Sequence, residues 1–402
     1  LEIALDTLTL KNHFAGSHHV AVTQVIPEGN SYFVLVNIWE TESYNSQKQL
    51  ILVFKKLNIV KEYKLPGHVL WNCMQIAEDG SFLLGSKYSD NYSGAVLAFF
   101  KNDKVTVSQT IDKGYATEIT RIEKENNDDC YAIQGLWYQR YAAGSHDDFY
   151  PERWSEKVVL THSDFVLQGA LSVDFRKGNS KILEPGSGPQ PYYVIEDYGV
   201  SKYSADNVLM WNQAPGNLNL EHLKPVDLIA PYYRVQGGDS IFDGVWFSGS
   251  DTTLGVSFPP PFLGFVSKSG TIILLHDALE NYPEIRKIHA IVSGKKSNCL
   301  VVAETLRIGE GSGLCLIYFQ LTQGFIRKTI KYINSCEKGV NLVIEDDPKF
   351  FDQYLYALSV YPQTDILEDL DEIIIFGEMN HFHNRNNGHV WSVKINKEFF
   401  NT

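Results

Sequence analysis

The chain has 402 residues, 44% hydrophobic and 13% aromatic, enough to bury a large core. Its 35 basic against 48 acidic residues leave a formal net charge of −13. The KK pairs at 55–56 and 295–296 are isolated and no dense Lys/Arg cluster occurs, which argues against nucleic acid or an anionic membrane surface as partner.

The opening run LEIALDTLTL (Leu1–Leu10) is strand-like. Between His18 and Leu65 come four short apolar runs, HHVAVTQVI, SYFVLVNIW, QLILVFKK and IVKEYKL, separated by PEGN, TESYNSQK and LN. The pattern repeats from Trp71 to Ile111 as NCMQIAED, SFLLGSKY, AVLAFF and KVTVSQTI. A third unit contains ATEITRIEK, CYAIQGLWYQRY, EKVVLTH and DFVLQGALSV, with an insertion at 137–154. The fourth is built from PYYVIEDYG, VSKYSAD and NVLMWNQ, and the fifth from YYRVQGG, SIFDGVWFSG, PFLGFVSK and TIILLHDA. IHAIVSGKK, NCLVVAETLRI, LCLIYFQLT and FIRKTIKYI form the sixth. The seventh holds GVNLVIEDD, QYLYALSVYP, DEIIIFGEMNHF and GHVWSVKIN. No stretch reads as a helix by periodicity; ENYPEIRKIHAIV (280–292) is short and carries a proline.

Strand-only self-similarity about every 50 to 60 residues resembles a seven-bladed β-propeller, over nearly the whole chain and at the level of fold. No Trp-Asp repeat is present, and a kelch-like double glycine occurs once, at Gly237-Gly238 ahead of Trp246. The resemblance implies one all-β domain over 1–402, with seven blades of four antiparallel strands and units of about 1–66, 67–113, 114–174, 175–228, 229–282, 283–334 and 335–402. It also implies that Leu1–Leu10 closes the ring against the last unit, removing an exposed edge. The competing architecture is a pair of β-sandwiches joined at EPGSGPQP (184–191), the one Pro/Gly-rich run near the middle.

The five cysteines, Cys73, Cys130, Cys299, Cys315 and Cys336, are odd in number, irregular in spacing and free of a CxxC pair. They suggest buried thiols and a reducing compartment such as the cytoplasm. The first residue is Leu, so processing and secretion are the other expectation. No apolar run reaches 18 residues, and no membrane insertion is expected.

Of the segments able to carry chemistry, WYQRYAAGSHDDFYPERW (137–154) stands out. It sets Trp137, Tyr138, Tyr141 and Trp154 beside Arg140, His146, Asp147 and Asp148. Trp, Tyr and Arg dominate binding hot spots, and aromatic planes flanked by carboxylates also suit sugar rings. Tyr192 and Tyr193, with Tyr232 and Tyr233, lie in stretches of the same character, and loops from three consecutive units could converge. His381 and His383 are two residues apart, so an extended strand would point both to one face as metal ligands, with Glu378 or His389 as a third. The glycine run GEGSG (309–313) reads as a hairpin between two strands. No nucleophile elbow, phosphate loop, HExxH or dinucleotide fingerprint occurs. The sequence therefore suggests a monomeric protein- or peptide-binding module without cofactor and without evident catalysis. A glycan-binding or glycan-cleaving protein with carboxylates in a central pocket is the alternative.

Overall fold

The structure, a computed structural model, describes residues 19–39, 47–55, 58–67, 69–88, 94–124, 130–140, 149–160, 165–170, 182–196, 199–214, 226–250, 260–275, 279, 282–307, 311–322, 325–335, 342–347, 353–362, 372–381 and 389–396. The described elements are all strands, and every pairing is antiparallel between sequence neighbours. They fall into two compact units, one within Phe14–Phe175 and one within Arg176–Thr402.

The first unit holds three four-stranded meanders. They are β1 (His19–Glu28), β2 (Ser31–Trp39), β3 (Gln47–Lys55) and β4 (Asn58–Lys64); β5 (Trp71–Ile76), β6 (Phe82–Tyr88), β7 (Ala95–Lys101) and β8 (Lys104–Ile111); and β9 (Tyr115–Lys124), β10 (Cys130–Arg140), β11 (Phe149–Leu160) and β12 (Phe165–Ala170). The second unit begins with β13 (Ile182–Leu183), β14 (Tyr192–Glu196), β15 (Gly199–Tyr203) and β16 (Leu209–Gln213), followed by β17 (Val226–Gln236), β18 (Asp239–Ser250), β19 (Pro261–Ser267) and β20 (Ile272–Leu274). A five-stranded sheet of β21 (Ile285–Ser293), β22 (Asn298–Arg307), β23 (Gly311–Thr322), β24 (Phe325–Ser335) and β25 (Leu342–Glu345) comes next. The last sheet has three described strands, β26 (Gln353–Pro362), β27 (Glu372–His381) and β28 (His389–Asn396).

This succession of meanders is the blade grammar of a β-propeller, and the all-β propeller class expected from the sequence is the class observed. The uniform four-strand count is not. VNLVIEDD, assigned by its pattern to the seventh unit, supplies β25, which pairs with β24 through Ser335↔Leu342 to Tyr332↔Glu345. A strand that follows its neighbour after six residues satisfies its backbone most directly by folding back as a hairpin. The run 184–191 is no interdomain linker either, because it connects β13 to β14 inside one sheet, with Glu184 N–H donating to the Pro191 carbonyl at 2.9 Å. The closing segment Leu1–Leu10 lies outside the described residues.

In the second and fifth sheets, alternating side chains bury both faces, one against each neighbouring sheet of the same unit. In β6, Leu83 faces the third sheet in a cluster with Ile119, Ile133 and Val158, while Phe82 and Leu84 face the first sheet beside Leu35 and Ile51. In β18, Val245 and Phe247 pack with Tyr193, Ile195 and Val200 of the fourth sheet, whereas Trp246 turns to Cys299, Val301 and Ala303 of the next. Strands buried on both faces read as continuous apolar runs, and each buried Val, Leu, Ile or Phe contributes roughly 1.5–3 kcal/mol. Outer strands are different: β4 and β8 expose every second residue or more.

β-Bulges mark both ends of the meander. Thr23, Asn72, Thr120, Asp227, His289 and Leu358 are extra residues in the first strands of six sheets. Val60, Thr106 and Met210 are extra residues in the outer strands β4, β8 and β16. A bulge raises local twist and re-aims a side chain, and on an outer strand it discourages edge-to-edge pairing. The kelch-like Gly237-Gly238 forms the two-residue turn of β17–β18 with φ of +64° and +94°, values that glycine adopts without steric cost.

At Gly135 on β10, a Cβ would meet the Glu118 carbonyl oxygen at 1.9 Å and the Trp154 ring at 2.5 Å. Gly135→Ala is therefore expected to cost more than about 2 kcal/mol in urea unfolding, while Gly237→Ala, which meets nothing within 4 Å, costs about 1 kcal/mol through its φ alone. Equal losses at the two positions would contradict this packing.

Candidate functional site

The insertion 137–154 is largely strand. β10 runs on to Arg140 and β11 starts at Phe149, in unbroken register from Cys130↔Val159 to Arg140↔Phe149. Its alternating Trp137, Gln139 and Phe149 suit a pleated ribbon, which is why a segment longer than a connection needs becomes an extended hairpin. Register places Trp137, Trp154 and Glu156 on one face, with Gly135 opposite Trp154 and Ile133 opposite Glu156.

Glycines let the two indoles lie flat. The Trp154 ring crosses Gly135, and Trp137 lies on Gly114, whose Cβ would come within 2.5 Å of the ring. Trp154 Nε1 donates to the Leu136 carbonyl at 3.3 Å. The turn before β9 is held by Thr117, whose hydroxyl accepts from Lys113 N–H at 3.0 Å and donates to the Gly114 carbonyl at 2.9 Å. That turn presents Lys113, which forms an ion pair with Glu156 and stands 5.7 Å from the Trp154 ring centroid. Glu156 Oε2 is buried and has no hydrogen-bond partner among the described residues.

A second carboxyl, Glu118 on β9, is opposite Leu136. Leu136 is three residues from Ile133 on a regular strand, so Glu118 and Glu156 point to opposite faces of the sheet. Burial pushes the Glu118 pKa up, against the opposing pull of Lys87. The two acids thus have different surroundings but do not face one bound group together, so this face offers aromatic planes and an ion pair without a paired acid and base.

The other residues singled out from sequence are dispersed. Tyr138 and Arg140 occupy β10 opposite Pro151 and Phe149. Tyr141, His146, Asp147 and Asp148 lie outside the described residues. Tyr192 is half-buried on β14, stacked on Tyr203 at 5.3 Å, and donates to Asn207 Oδ1 at 3.0 Å. Tyr193, on the opposite face, is fully buried. Tyr193 and Tyr233 both turn edges to Phe242, at 5.9 and 5.7 Å, while buried Tyr232 stacks on Phe265 at 4.5 Å on the other side of its sheet. His381 ends β27 opposite Gln353, His389 opens β28 opposite Met379, Glu378 pairs with Tyr356 and Val390, and His383 lies outside the described residues. Among the described residues, no three His, Cys, Asp or Glu side chains group as metal ligands.

Sequence reading missed the charges that pack among these aromatics. Glu184, just after β13, accepts Lys202 Nζ at 2.7 Å and Tyr193 OH at 2.8 Å on Oε1, and Lys268 Nζ at 3.2 Å on Oε2. Lys202 and Trp211 Nε1 also donate to the Lys268 carbonyl, both at 3.3 Å, which ties the fourth sheet to the turn after β19. Lys202 in VSKY was the one available signal, a charge within an otherwise apolar strand. Every polar atom of this network has a partner, which marks it as a lock between sheets. The thiols of Cys73, Cys299 and Cys315 are free and buried, and burial pushes their pKa values up, so they are inert. Cys130 is buried too, and Cys336 lies outside the described residues. Among the described residues, no helix is long and apolar enough to cross a membrane.

No family model matches the chain, and no curated protein matches it. Among solved structures it is similar to an α-L-arabinanase from Penicillium chrysogenum complexed with arabinobiose, at 9% identity and TM-score 0.39, over 98% of this chain and 99% of that one. It is also similar to the polysaccharide lyase Uly1, at 10% identity and TM-score 0.42, over 94% and 90% of the two chains. A third is the subtype N11 neuraminidase-like protein of A/flat-faced bat/Peru/033/2010, at 8% identity and TM-score 0.34, over 97% of each chain. Likeness this low assigns no chemistry to the residues above.

Burial opposes ionisation of Glu184, but hydrogen bonds from Lys202, Tyr193 and Lys268 outweigh it and hold the carboxyl below its ordinary range. A depressed carboxylate contributes stability above its unfolded-state pKa and loses it as pH falls through the folded value. Glu184→Gln should therefore cost about 3 kcal/mol at neutral pH, a deficit that shrinks below about pH 4 in paired unfolding curves. A deficit independent of pH would show that the ion pairs are not its source.

Proposed function

We propose that the chain is a glycan-binding protein whose third sheet supplies the recognition surface. The observation that carries this reading is half-buried Trp137 on the β10–β11 ribbon, on the face whose inner part, Trp154 included, packs into the core shared with the second sheet beside the Lys113–Glu156 pair. Sugar rings present apolar C–H faces that pack on indole planes, while their hydroxyls need charged or polar partners at the ring edge. Both parts are supplied by rigid strands and by a hydrogen-bonded turn, so little ordering is required on binding. Cleavage by a Glu118/Glu156 pair has no geometric support, because the acids lie on opposite faces.

A second reading, docking of a protein or peptide, is favoured by a different surface. Leu183, Tyr192, Tyr203 and Leu209 are in register across all four strands of the fourth sheet, with Leu183 57% and Leu209 51% exposed. Val208 and Met210 beside them are 63% and 55% exposed. Such a stripe suits a partner that brings apolar side chains.

Titration of the purified chain with a panel of soluble oligosaccharides, followed by calorimetry, tests the first reading. Trp137→Ala should keep the melting temperature within a few degrees and weaken binding by about 2 kcal/mol, roughly thirtyfold in Kd. Binding unaffected by Trp137→Ala would move the site off this sheet, and absence of binding across the panel would reject the glycan reading.

A further inference from the structure

The sixth sheet carries a histidine–carboxylate pair independent of the tryptophan face. Arg286 and His289 are both extra residues in β21, bulged against Thr305–Glu304 and Ala303–Val302 of β22. Two bulges within four residues turn both side chains toward Glu304. Its carboxylate is 3% exposed, with Oε2 3.2 Å from His289 Nε2 and Oε1 3.9 Å from the Arg286 guanidinium. A carboxylate only accepts, so the Nε2 position carries the hydrogen, and a neutral imidazole then has its lone pair on Nδ1. Nothing among the described residues bonds to Nδ1, and of the pair's polar atoms Glu304 Oε1 alone is both buried and unpartnered. The His289 side chain is 8% exposed and Nδ1 is not among the fully buried atoms left without a partner, so the narrow solvent contact of the ring includes Nδ1, while Glu304 fixes the ring from behind.

We propose that His289 and Glu304 form a proton-accepting dyad, with Nδ1 the acceptor for a hydroxyl or water bound at the first strand of the sixth sheet. In the step, the O–H bond of the bound group breaks, its electron pair stays on oxygen, and the proton forms an N–H bond at Nδ1. Glu304 acts as a positioning residue that fixes the tautomer and offsets the charge of the resulting imidazolium. The ligand class is a small hydroxyl-bearing molecule. This inference does not rest on the glycan reading and stands or falls without it.

Diethylpyrocarbonate acylates an accessible imidazole lone pair, and peptide mass spectrometry reads the product residue by residue. In the folded protein His289, whose side chain is 8% exposed, should still be acylated, more slowly than in the urea-unfolded chain, because its unbonded nitrogen is the nucleophilic one. Complete protection of His289 in the folded state would overturn the proposal. Glu304→Gln should change that rate by at least about fivefold through loss of the fixed tautomer, and an unchanged rate would reduce Glu304 to packing. For chemistry itself, 4-nitrophenyl acetate is the probe. His289→Gln retains an N–H for Glu304 but no basic nitrogen, so it should keep the melting temperature and lose most of the wild-type hydrolysis above buffer. Equal hydrolysis by a folded His289→Gln protein would overturn the dyad.

Discussion

A four-stranded antiparallel meander has two apolar faces and can cover neither by itself, and that constraint organises the whole chain. Leu83 and Leu84 are adjacent in sequence, yet they belong to different cores, one shared with the third sheet and one with the first. The same division separates Trp246 from Val245 and Phe247. The second and fifth sheets are thus each half of two cores, and within each unit stability passes from neighbour to neighbour, as in other repeat architectures. Polar groups that enter this stack must be satisfied inside it. Gln49 does so by pairing with Asn37, the Trp71 backbone N–H and the Trp71 carbonyl, and Asn72 by donating to the Ile119 carbonyl of the next sheet at 3.0 Å.

This constraint is also why the fold could be read from sequence. Runs such as LILVF and CLVVA have to be continuous because both faces are buried, and the turns between them carry glycine and asparagine at positive φ, as at Gly29 and Asn207. The attribution of VNLVIEDD was less secure for a physical reason. A short apolar strand with a turn on either side can pair with the sheet before or after it, and pattern does not say which.

Little of the site was legible. The pairing of Trp137 with Trp154 on one face depends on register through a hairpin, and the flat seating of both rings depends on Gly114 and Gly135, which look like any other glycines in sequence. Tyrosine pairs misled in a specific way. Adjacent residues in a strand part to opposite faces, so Tyr192 stacks at the surface while Tyr193 is sealed in the core, and Tyr232 and Tyr233 divide likewise between two clusters. Composition counts such residues together, and the pleat separates them.

The bulges connect architecture to chemistry. A first strand needs strong twist to follow its neighbours, and an extra residue supplies it. That residue leaves the ladder, so its side chain is aimed by the bulge and no longer by simple alternation. At Thr23 it accepts from Asn37 at 2.9 Å, at Asn72 it reaches a backbone carbonyl of the next sheet, and at Thr120 it donates to the Gln134 carbonyl at 3.5 Å. In these three sheets the re-aimed group ends on a neutral partner and closes a gap. At His289 the partner is a buried carboxylate, and the group is an imidazole with a second nitrogen to spare. A station repeated for structural reasons thus becomes chemically distinct through one substitution in the repeat. That is how a fold of near-equivalent units can acquire a site in one of them without disturbing the others.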